Sequence, residues 1–465
     1  MKKISKIVLA SSMMALFALS SCGGKNDGVT NVKRSKDKNA NYQGYQAEID
    51  PATGKIYDFG GMTVYYYDWW SNPDAAPASK QQEDEKAFRE WCEKTYNYKC
   101  IKKDLAGWGQ NPTEVANFCI TGSSDYAVFT IDNRSALSGK KAGLWADLSK
   151  IDNIDWTKTK WNKGVIQMIQ DGDSFYTFNV GNPEPRNGIF FNKRVLQENG
   201  IDPEEPYNMQ KAGTWTWESF EEMCKKLTKD TDNDGITDQW AMASSNGQFA
   251  ESILYSNGVK IISIENGKFV NNVGTDAALE AWDYVRRCFM EYQRPQFEGE
   301  SWDYYFAAFL NGEVAFCAEQ EYNCMPGNRF NSMKDDYGFV CFPLGPKGSK
   351  SYTSVMADNM MVLPAFYDVD TAKKIMKVID LYTEPVPGYE DEEAWKEAYW
   401  AAFRDERAVN ETLQNIMDNP YESISGFVPD LNKDVYSWDI CGGADPMETI
   451  EKFANEHQAL IDKMN

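Results

Sequence analysis

Histidine is all but missing from this chain: its 465 residues hold one, His457. A single imidazole excludes the Ser-His-Asp and Cys-His arrangements that activate a nucleophile and leaves no Cys/His set for a metal. His457 itself lies in a C-terminal amphipathic stretch and reads as a surface residue of a helix. Positive charge is also short. Lys and Arg number 48 against 70 Asp and Glu, a formal charge of −22. Nucleic acid is therefore not a partner, because binding it requires clustered Lys and Arg that displace counterions. No phosphate-cradling Gly-Lys-Ser/Thr loop is present, so the chain cannot energise transport by itself. After residue 22 no apolar run is long enough to span a bilayer, and no internal repeat is visible.

Cysteine is present without forming a framework. Ten cysteines, less Cys22, leave nine, an odd and widely spaced set in a chain too large to need stapling. Cys92 with Cys100, and Cys317 with Cys324, are near enough to pair, and spacing does not decide the matter. Cys22 is different. A basic "MKKISK" and an apolar "IVLASSMMALFAL", too short for a permanent span, lead into "LSSC" and two glycines. Small residues before such a cysteine resemble the lipobox of bacterial lipoproteins. That resemblance implies that residues 1–22 are a signal peptide ending at Cys22, which carries lipid and anchors the mature chain. The alternative is an ordinary secretory signal with a chance cysteine. Everything beyond is expected outside the cytoplasm, on the periplasmic or cell-surface side, with the lipid as its only membrane contact. Residues 23–57 are polar and rich in Gly, Asn and Lys, and are expected to form a flexible tether.

What the chain has in quantity is aromatic rings: 15 Trp, 25 Tyr and 24 Phe together make up 14% of the residues. "VYYYDWWSNP", Val64 to Pro73, concentrates them. Neighbouring side chains on a strand point to opposite faces, so Trp69 and Trp70 cannot both enter one core. Around this run, strand-like and helix-like segments alternate. "MTVYYYDW", "YKCIKKDL" and "DYAVFTI" are strands separated by helical "SKQQEDEKAFREWCEKTYN" and "PTEVANFCIT". This pattern predicts an α/β lobe with a mainly parallel sheet, and ligands of such sheets lie beyond the carboxyl ends of the strands. Asp68, Trp69, Trp70, Asp132, Asn133 and Arg134 fall on that edge. "SFYTFNV" reads as a strand before a Pro/Gly-rich crossing into a second lobe that opens with "GIFFN". Thr214 or Thr216 caps the next helix. "DYGFVCFPLGP" is expected to return the chain to the first lobe, which "DNMMVLPAF" and a helix complete, and a helical tail packs on the second. The first lobe thus takes 58–180 with 344–385, the second 181–343 with 386–465.

The ordered pieces "AGLWADLSKI", "GIFFNKRVLQENGIDPEEP", "TWTWESFEEMCKKLT", "DTDNDGITDQW" and "FLNGEVAFCAEQEYN" resemble the extracellular solute-binding proteins of bacterial ABC importers. More narrowly, the chain resembles the large sugar-binding group that includes maltose-binding protein, over about residues 58 to 465. The resemblance implies the two-lobed type II periplasmic-binding fold with a hinge, closing over a mono- or oligosaccharide that is passed to a separate permease and ATPase. No cofactor or catalysis is implied. Positions carried across place Asp132, Asn133 and Arg134 before "AGLWAD" as polar ligands. Tyr322 stands where the family has a stacking tryptophan, with Glu319 and Glu321 beside it. "SSNGQF" offers Asn246 and Gln248 as a site strand, and Asp358 with Asn359 precede the returning strand.

The run "DTDNDGITD" matches the first nine places of a calcium loop through Asp230, Asp232, Asp234, the Ile236 carbonyl and Asp238. Ala241 stands where a bidentate Glu is expected at the twelfth. The two readings are a structural Ca²⁺ and an acidic turn between helix and strand. Two other functions use the same residues differently. A lipid-anchored glycoside hydrolase would employ Glu319 and Glu321 as acid and nucleophile. Residues two apart on one strand point the same way, whereas hydrolases usually draw the pair from separate elements. An all-helical glycan-binding surface lipoprotein is disfavoured by the strands between residues 62 and 192.

Overall fold

Short strands and amphipathic helices alternate in a computed structural model that describes residues 32–181, 184–357, 359–390, 393, 395–421 and 423–464. In chain order the strands are β1 (Asn41–Tyr42), β2 (Tyr45–Gln46), β3 (Met62–Asp68), β4 (Tyr98–Asp104), β5 (Tyr126–Ile131), β6 (Asn187–Asn192) and β7 (Ile262–Glu265). They continue with β8 (Lys268–Asn271), β9 (Phe316–Gln320), β10 (Tyr337–Val340), β11 (Ser354–Val355), β12 (Met360–Val362) and β13 (Pro420–Tyr421). Cys22 and the signal segment lie outside the described residues. Among the described residues no helix is long and apolar enough to cross a membrane.

The first lobe is built on a sheet of order β12-β5-β3-β4. β3 runs parallel to both β4 and β5, while β12 is antiparallel to β5. Helix Lys80–Tyr96 starts at Ser79, whose side chain accepts from the Gln82 amide, and ends at Asn97 in the left-handed region, a residue type that tolerates it. Its Phe88, Cys92 and Tyr96 pack with Val64, Val128 and the Ile375 and Ile379 of helix Val369–Tyr382 on one face of the sheet. Helices Asn111–Thr121 and Asn133–Lys141 bury Val115, Cys119 and Ala136 against Phe129 and Ile131 on the other. The carboxyl ends of β3, β4 and β5 therefore share one edge, with Asp68 opposite Asp104.

The second sheet, β10-β6-β9, is antiparallel throughout. Its strands pack so closely that a Cβ at Gly188 would run into the Phe339 ring, and one at Gly338 into that of Phe191. Helix Trp217–Leu227 begins in a reciprocal capping box between Thr216 and Ser219. Helices Asn246–Ser256 and Asp276–Glu291 complete this core together with the tail helices Asp434–Cys441 and Pro446–Asp462.

Several expectations are corrected. Residues 33–57 are not a free tether. β1 and β2 form a hairpin that buries Ala40 and Ala47, and Tyr42 and Tyr45 lie 5.3 and 5.2 Å from the Phe88 ring. Glu48, buried, meets Lys377 at 2.5 Å. The composition is polar, but its few apolar side chains and one carboxylate are all spent on the first lobe. "DYGFVCFPLGP" does not return to the first lobe, since β10 pairs with β6; the return comes at β12. "SFYTFNV" makes only isolated bridges, such as Phe178 to Met361. "SSNGQF" opens a helix, not a strand. His457 is buried, its Nδ1 2.6 Å from the Tyr436 hydroxyl, and burial lowers its pKa. All nine described cysteines are free thiols, and burial pushes Cys92 up to about 12.

The lobes are joined by three passes of chain lying side by side. Pro185 bridges Met356, and the Arg186 amide donates to the Val355 carbonyl at 2.9 Å. β11 pairs in parallel with β13, and the Met356 amide donates to Tyr421 at 3.0 Å. The tail then dips to the first lobe, where Phe427 joins the cluster of Phe129 and Ile131, before returning to the second.

Candidate functional site

The carboxyl edge of the first sheet is where the aromatic run delivers its indoles. Tyr65 and Tyr67 stack at 5.4 Å on one face, and Tyr67 continues onto Phe129. Asp68 is fully buried and ends β3. Its Oδ1 accepts from the amides of Trp70 and Ser71 at 3.0 and 2.8 Å, and its Oδ2 from the Ser71 hydroxyl at 2.5 Å. The carboxylate is committed to the turn and not to a ligand. The turn throws Trp70 outward, 51% exposed, with Trp69 half-buried and edge-on beneath it at 4.9 Å.

On β4, Lys102 places its ammonium 4.9 Å from the Tyr66 ring and 5.7 Å from Trp70. Burial works against that charge, but Tyr66, Asp68, Glu85 and Glu184 outweigh it and hold the pKa up. Trp70, Tyr66 and Lys102 line one side of a cleft of about 280 Å³. Asn162 and Thr130 contribute polar groups to it. Asn179, Glu184 and Asn359, from two of the three hinge passes, close it. Asn359 is held by its carbonyl, which accepts from Asn179 Nδ2 at 2.8 Å. The Thr130 hydroxyl is buried without a hydrogen-bond partner among the described residues, and such a group is stabilised when one arrives. Asp358 lies outside the described residues.

After β4 the chain exposes Trp108. Arg134 lies under it, the guanidinium carbon 3.8 Å from the ring centroid. Asp132 caps helix Asn133–Lys141 through the Arg134 amide and accepts from Arg134 Nε at 2.7 Å. Asn133 turns away from this group: its Nδ2 donates to the Ser423 carbonyl at 2.8 Å, and Gly426 packs on it so tightly that a Cβ would strike its amide oxygen.

The second lobe contributes Arg186, at the end of the first hinge pass. Its guanidinium reaches Glu321 and Glu184, each at 2.9 Å, and lies 5.5 Å from the Tyr322 ring. Tyr322 is exposed, as a stacking residue must be. Glu319, near the end of β9, and Glu321, opening the 3₁₀ turn that follows (Glu321–Cys324), are both buried and do not stand beside it as exposed ligands. Glu319 Oε2 accepts from the Gln320 amide and from Asn323 Nδ2 at 3.0 and 3.2 Å, and burial pushes its pKa up to about 7. Burial pushes Glu321 up as well, against the pull of Arg186. A buried pair cannot reach a glycosidic bond. Asn246 and Gln248 sit half-buried in the first turn of helix Asn246–Ser256.

The structure thus gathers Trp70 and Asn359 at the hinge cleft and links Asp132 to Arg134 on its own side of the sheet edge. Lys102, Thr130, Trp108 and Arg186 escaped sequence reasoning. Trp108 carried a signal, an indole between two glycines just after a strand. Lys102 and Thr130 lie inside strands, where nothing marks an inward polar residue as functional.

The model of the family described as bacterial extracellular solute-binding protein matches residues 78–379. The chain belongs to this family. The solute-binding protein therefore works outside the cytoplasm, and its fold is the two-lobed one seen in similar solved structures. The GacH receptor of Streptomyces glaucescens, solved unliganded and with acarbose, is 15% identical, with 86% of this chain and 99% of that one covered at a TM-score of 0.59. UgpB of Mycobacterium tuberculosis, solved with glycerophosphocholine, is 14% identical over 87% and 99%, TM-score 0.62. The maltose-maltodextrin binding protein of Alicyclobacillus acidocaldarius is 15% identical over 86% and 100%, TM-score 0.57. No curated protein matches significantly.

Away from the cleft, the acidic loop of the solute-binding protein is an exposed turn whose carboxylates accept from its own amides. Asp230 Oδ2 accepts from the Gly235 amide at 2.8 Å and Oδ1 from Asn233 at 2.7 Å, with Asn233 and Gly235 at φ of 62° and 89°. Carboxylate oxygens of Asp230, Asp232 and Asp238 lie within 4.8 Å of one another. Asp234 instead accepts from the Ile236 amide at 2.7 Å.

Proposed function

We propose that the chain is the carbohydrate-capturing component of an ABC importer, held at the membrane by lipid on Cys22 and delivering its sugar to a separate permease and ATPase. The observation that carries this reading is the hinge cleft. An exposed indole, Trp70, stands over a pocket that joins the Thr130 hydroxyl and the Asn162, Asn179 and Asn359 amides to charged groups, Lys102, Arg89, Glu85 and Glu184. A pyranose offers apolar C–H faces to such a ring and hydroxyl edges to such polar groups, and stacking contributes about 1 kcal/mol beyond burial. The similarity to the GacH receptor with acarbose and to a maltose-maltodextrin binding protein supports a sugar; UgpB, solved with glycerophosphocholine, supplies a different solute to test. A sugar in the cleft would touch the first lobe and two of the three hinge passes, and closure would bring Arg186 and Tyr322 of the second lobe to it. Differential contact of this kind biases the closed state. Ca²⁺ in the Asp230–Asp238 loop, bound by Asp230, Asp232, Asp238 and the Ile236 carbonyl, would brace the second lobe.

A thermal-shift screen of the mature chain with sugars and glycerophosphocholine, with and without Ca²⁺, tests this, since a ligand of the native state raises Tm. Recovering the sugar intact supports capture, and breakdown of the sugar refutes it. Labelled palmitate incorporated by the wild type and not by Cys22→Ala tests the anchor.

A further inference from the structure

In a chain of formal charge −22, the run "KRSKDK", Lys33 to Lys38, holds four cations against one acid. The hairpin fixes this run to the first lobe. The Ser35 amide donates to the Ala47 carbonyl and the Ile49 amide to the Lys33 carbonyl, each at 2.7 Å. Arg34 is engaged by its own lobe: Nη1 donates to the Gln46 carbonyl at 3.0 Å, and the guanidinium carbon lies 4.5 Å from the Tyr45 ring centroid. The other three cations, Lys33, Lys36 and Lys38, are exposed. None of them pairs with a carboxylate among the described residues. The lone acid, Asp37, accepts from the Asn39 amide at 2.9 Å. Other surface lysines are matched, as Lys80 is with Asp84, Lys99 with Glu93 and Lys225 with Glu221.

The same run stands next to the expected anchor. From Cys22 to Val32, where the described chain begins, the covalent path spans at most about 36 Å. That is less than the roughly 60 Å breadth of a folded chain this long. Lipid on Cys22 therefore holds the hairpin side of the first lobe near the bilayer. At physiological salt, charges act over about 8 Å, so those nearest the membrane decide which side of the protein faces it. Resting on the lipid-anchor reading, we propose that Lys33, Lys36 and Lys38 form a seat for anionic phospholipid headgroups, which holds the first lobe against the membrane with the acidic remainder turned away. Each lysine at such a surface raises occupancy about fivefold. The second lobe, free of this contact, is the one left to swing on closure.

Amine acetylation of the mature chain on vesicles, read at each lysine by mass spectrometry, tests the seat. The chain from Gly23 is held by an N-terminal hexahistidine on nickel-chelating lipid, so the result does not depend on Cys22. The vesicles are phosphatidylcholine with or without phosphatidylglycerol. Phosphatidylglycerol should slow labelling of Lys33, Lys36 and Lys38 by about fivefold or more, and high salt should restore it. Lys211 and Lys225 of the second lobe, with side chains 76 and 59% exposed, should react alike on both vesicles. Lys33→Gln with Lys36→Gln alters exposed side chains only; it should leave Tm within about 1 °C and free Lys38 to react. Equal labelling of the three lysines on the two vesicles overturns the proposal. So does slowing at Lys211 as great as at Lys33, or protection of Lys38 that survives the double substitution. Palmitate on Cys22 with unprotected lysines overturns the seat and keeps the anchor. Protected lysines without palmitate support the seat and overturn the anchor.

Discussion

Replacing Glu48 with Gln should damage the first lobe far more than its place near the N-terminus suggests. Glu48 Oε2 meets Lys377 Nζ at 2.5 Å, and that ammonium meets Asp380 at 2.7 Å. All three residues are at most 3% exposed. Lys158 and Lys160 extend the group to Glu384, each at 2.7 Å, and Arg34 lies at its rim, 3.5 Å from Glu48 and 3.8 Å from Glu384. Three carboxylates thus face four cations. Without Glu48 the ratio falls to two against four, in a region largely closed to water. Breaking a buried pair from one side costs about 3–5 kcal/mol, while removing both partners in favour of apolar groups of similar volume is often neutral. Glu48→Gln is accordingly expected to lower the melting point of the first lobe by roughly 6–10 °C and to open residues 33–57 to protease. Glu48→Met with Lys377→Met should recover most of the loss. Arg34→Gln, at an exposed rim, should cost less than about 1 kcal/mol. Differential scanning calorimetry with limited proteolysis decides: if Glu48→Gln costs no more than Arg34→Gln, the argument for a closed ionic group fails.

Other outcomes follow from the site. Trp70→Ala should weaken sugar binding about tenfold and leave the unliganded melting point within about 1 °C, both read by thermal shift with and without sugar. Glu319 has a pKa raised to about 7 by burial, above the carboxyl value of an unfolded chain. Its contribution is therefore full below about pH 4.5 and declines as pH rises through 7; Glu319→Gln should flatten that decline in a pH series of melting points. Asp230→Asn should abolish any stabilisation by Ca²⁺ while leaving sugar affinity within about twofold, because the loop is remote from the cleft; an unchanged Ca²⁺ response removes the loop as its site.

The regular elements could be read from the sequence wherever apolar periodicity coincided with a start or stop signal. Strands β3, β4 and β5 and helix Trp217–Leu227 are of this kind, the last marked by Thr216 and its acidic first turn. Where pairing partners decide, the sequence was mute. "DYGFVCFPLGP" and "DNMMVLPAF" look alike as strands, and only their registers with β6 and β5 assign them to different lobes. Residues 33–57 misled because composition counts polar residues without weighing where one of them, Glu48, lands. At the site, the alternation of the strand foretold that one of Trp69 and Trp70 would leave the core but not which; it is Trp70. The burial of Glu319 and Glu321 could not be foreseen, since Glu319 faces inward from β9 and Glu321 enters a short 3₁₀ turn with no strong signature. Arg186 was hidden in a Pro-rich crossing whose residues look like linker.

The three chain passes that join the lobes form a narrow ribbon, not a cord. Two separate cords would let one lobe swivel and slide on the other, giving many half-shut poses. Strips laced edge to edge by the Arg186, Met356 and Ala357 amides bend across their flat side and resist shear within it, so the lobes have the freedom of a book on its spine. A captured solute then brings the covers together along one arc, and any machine that must recognise the loaded protein has a single outline to inspect.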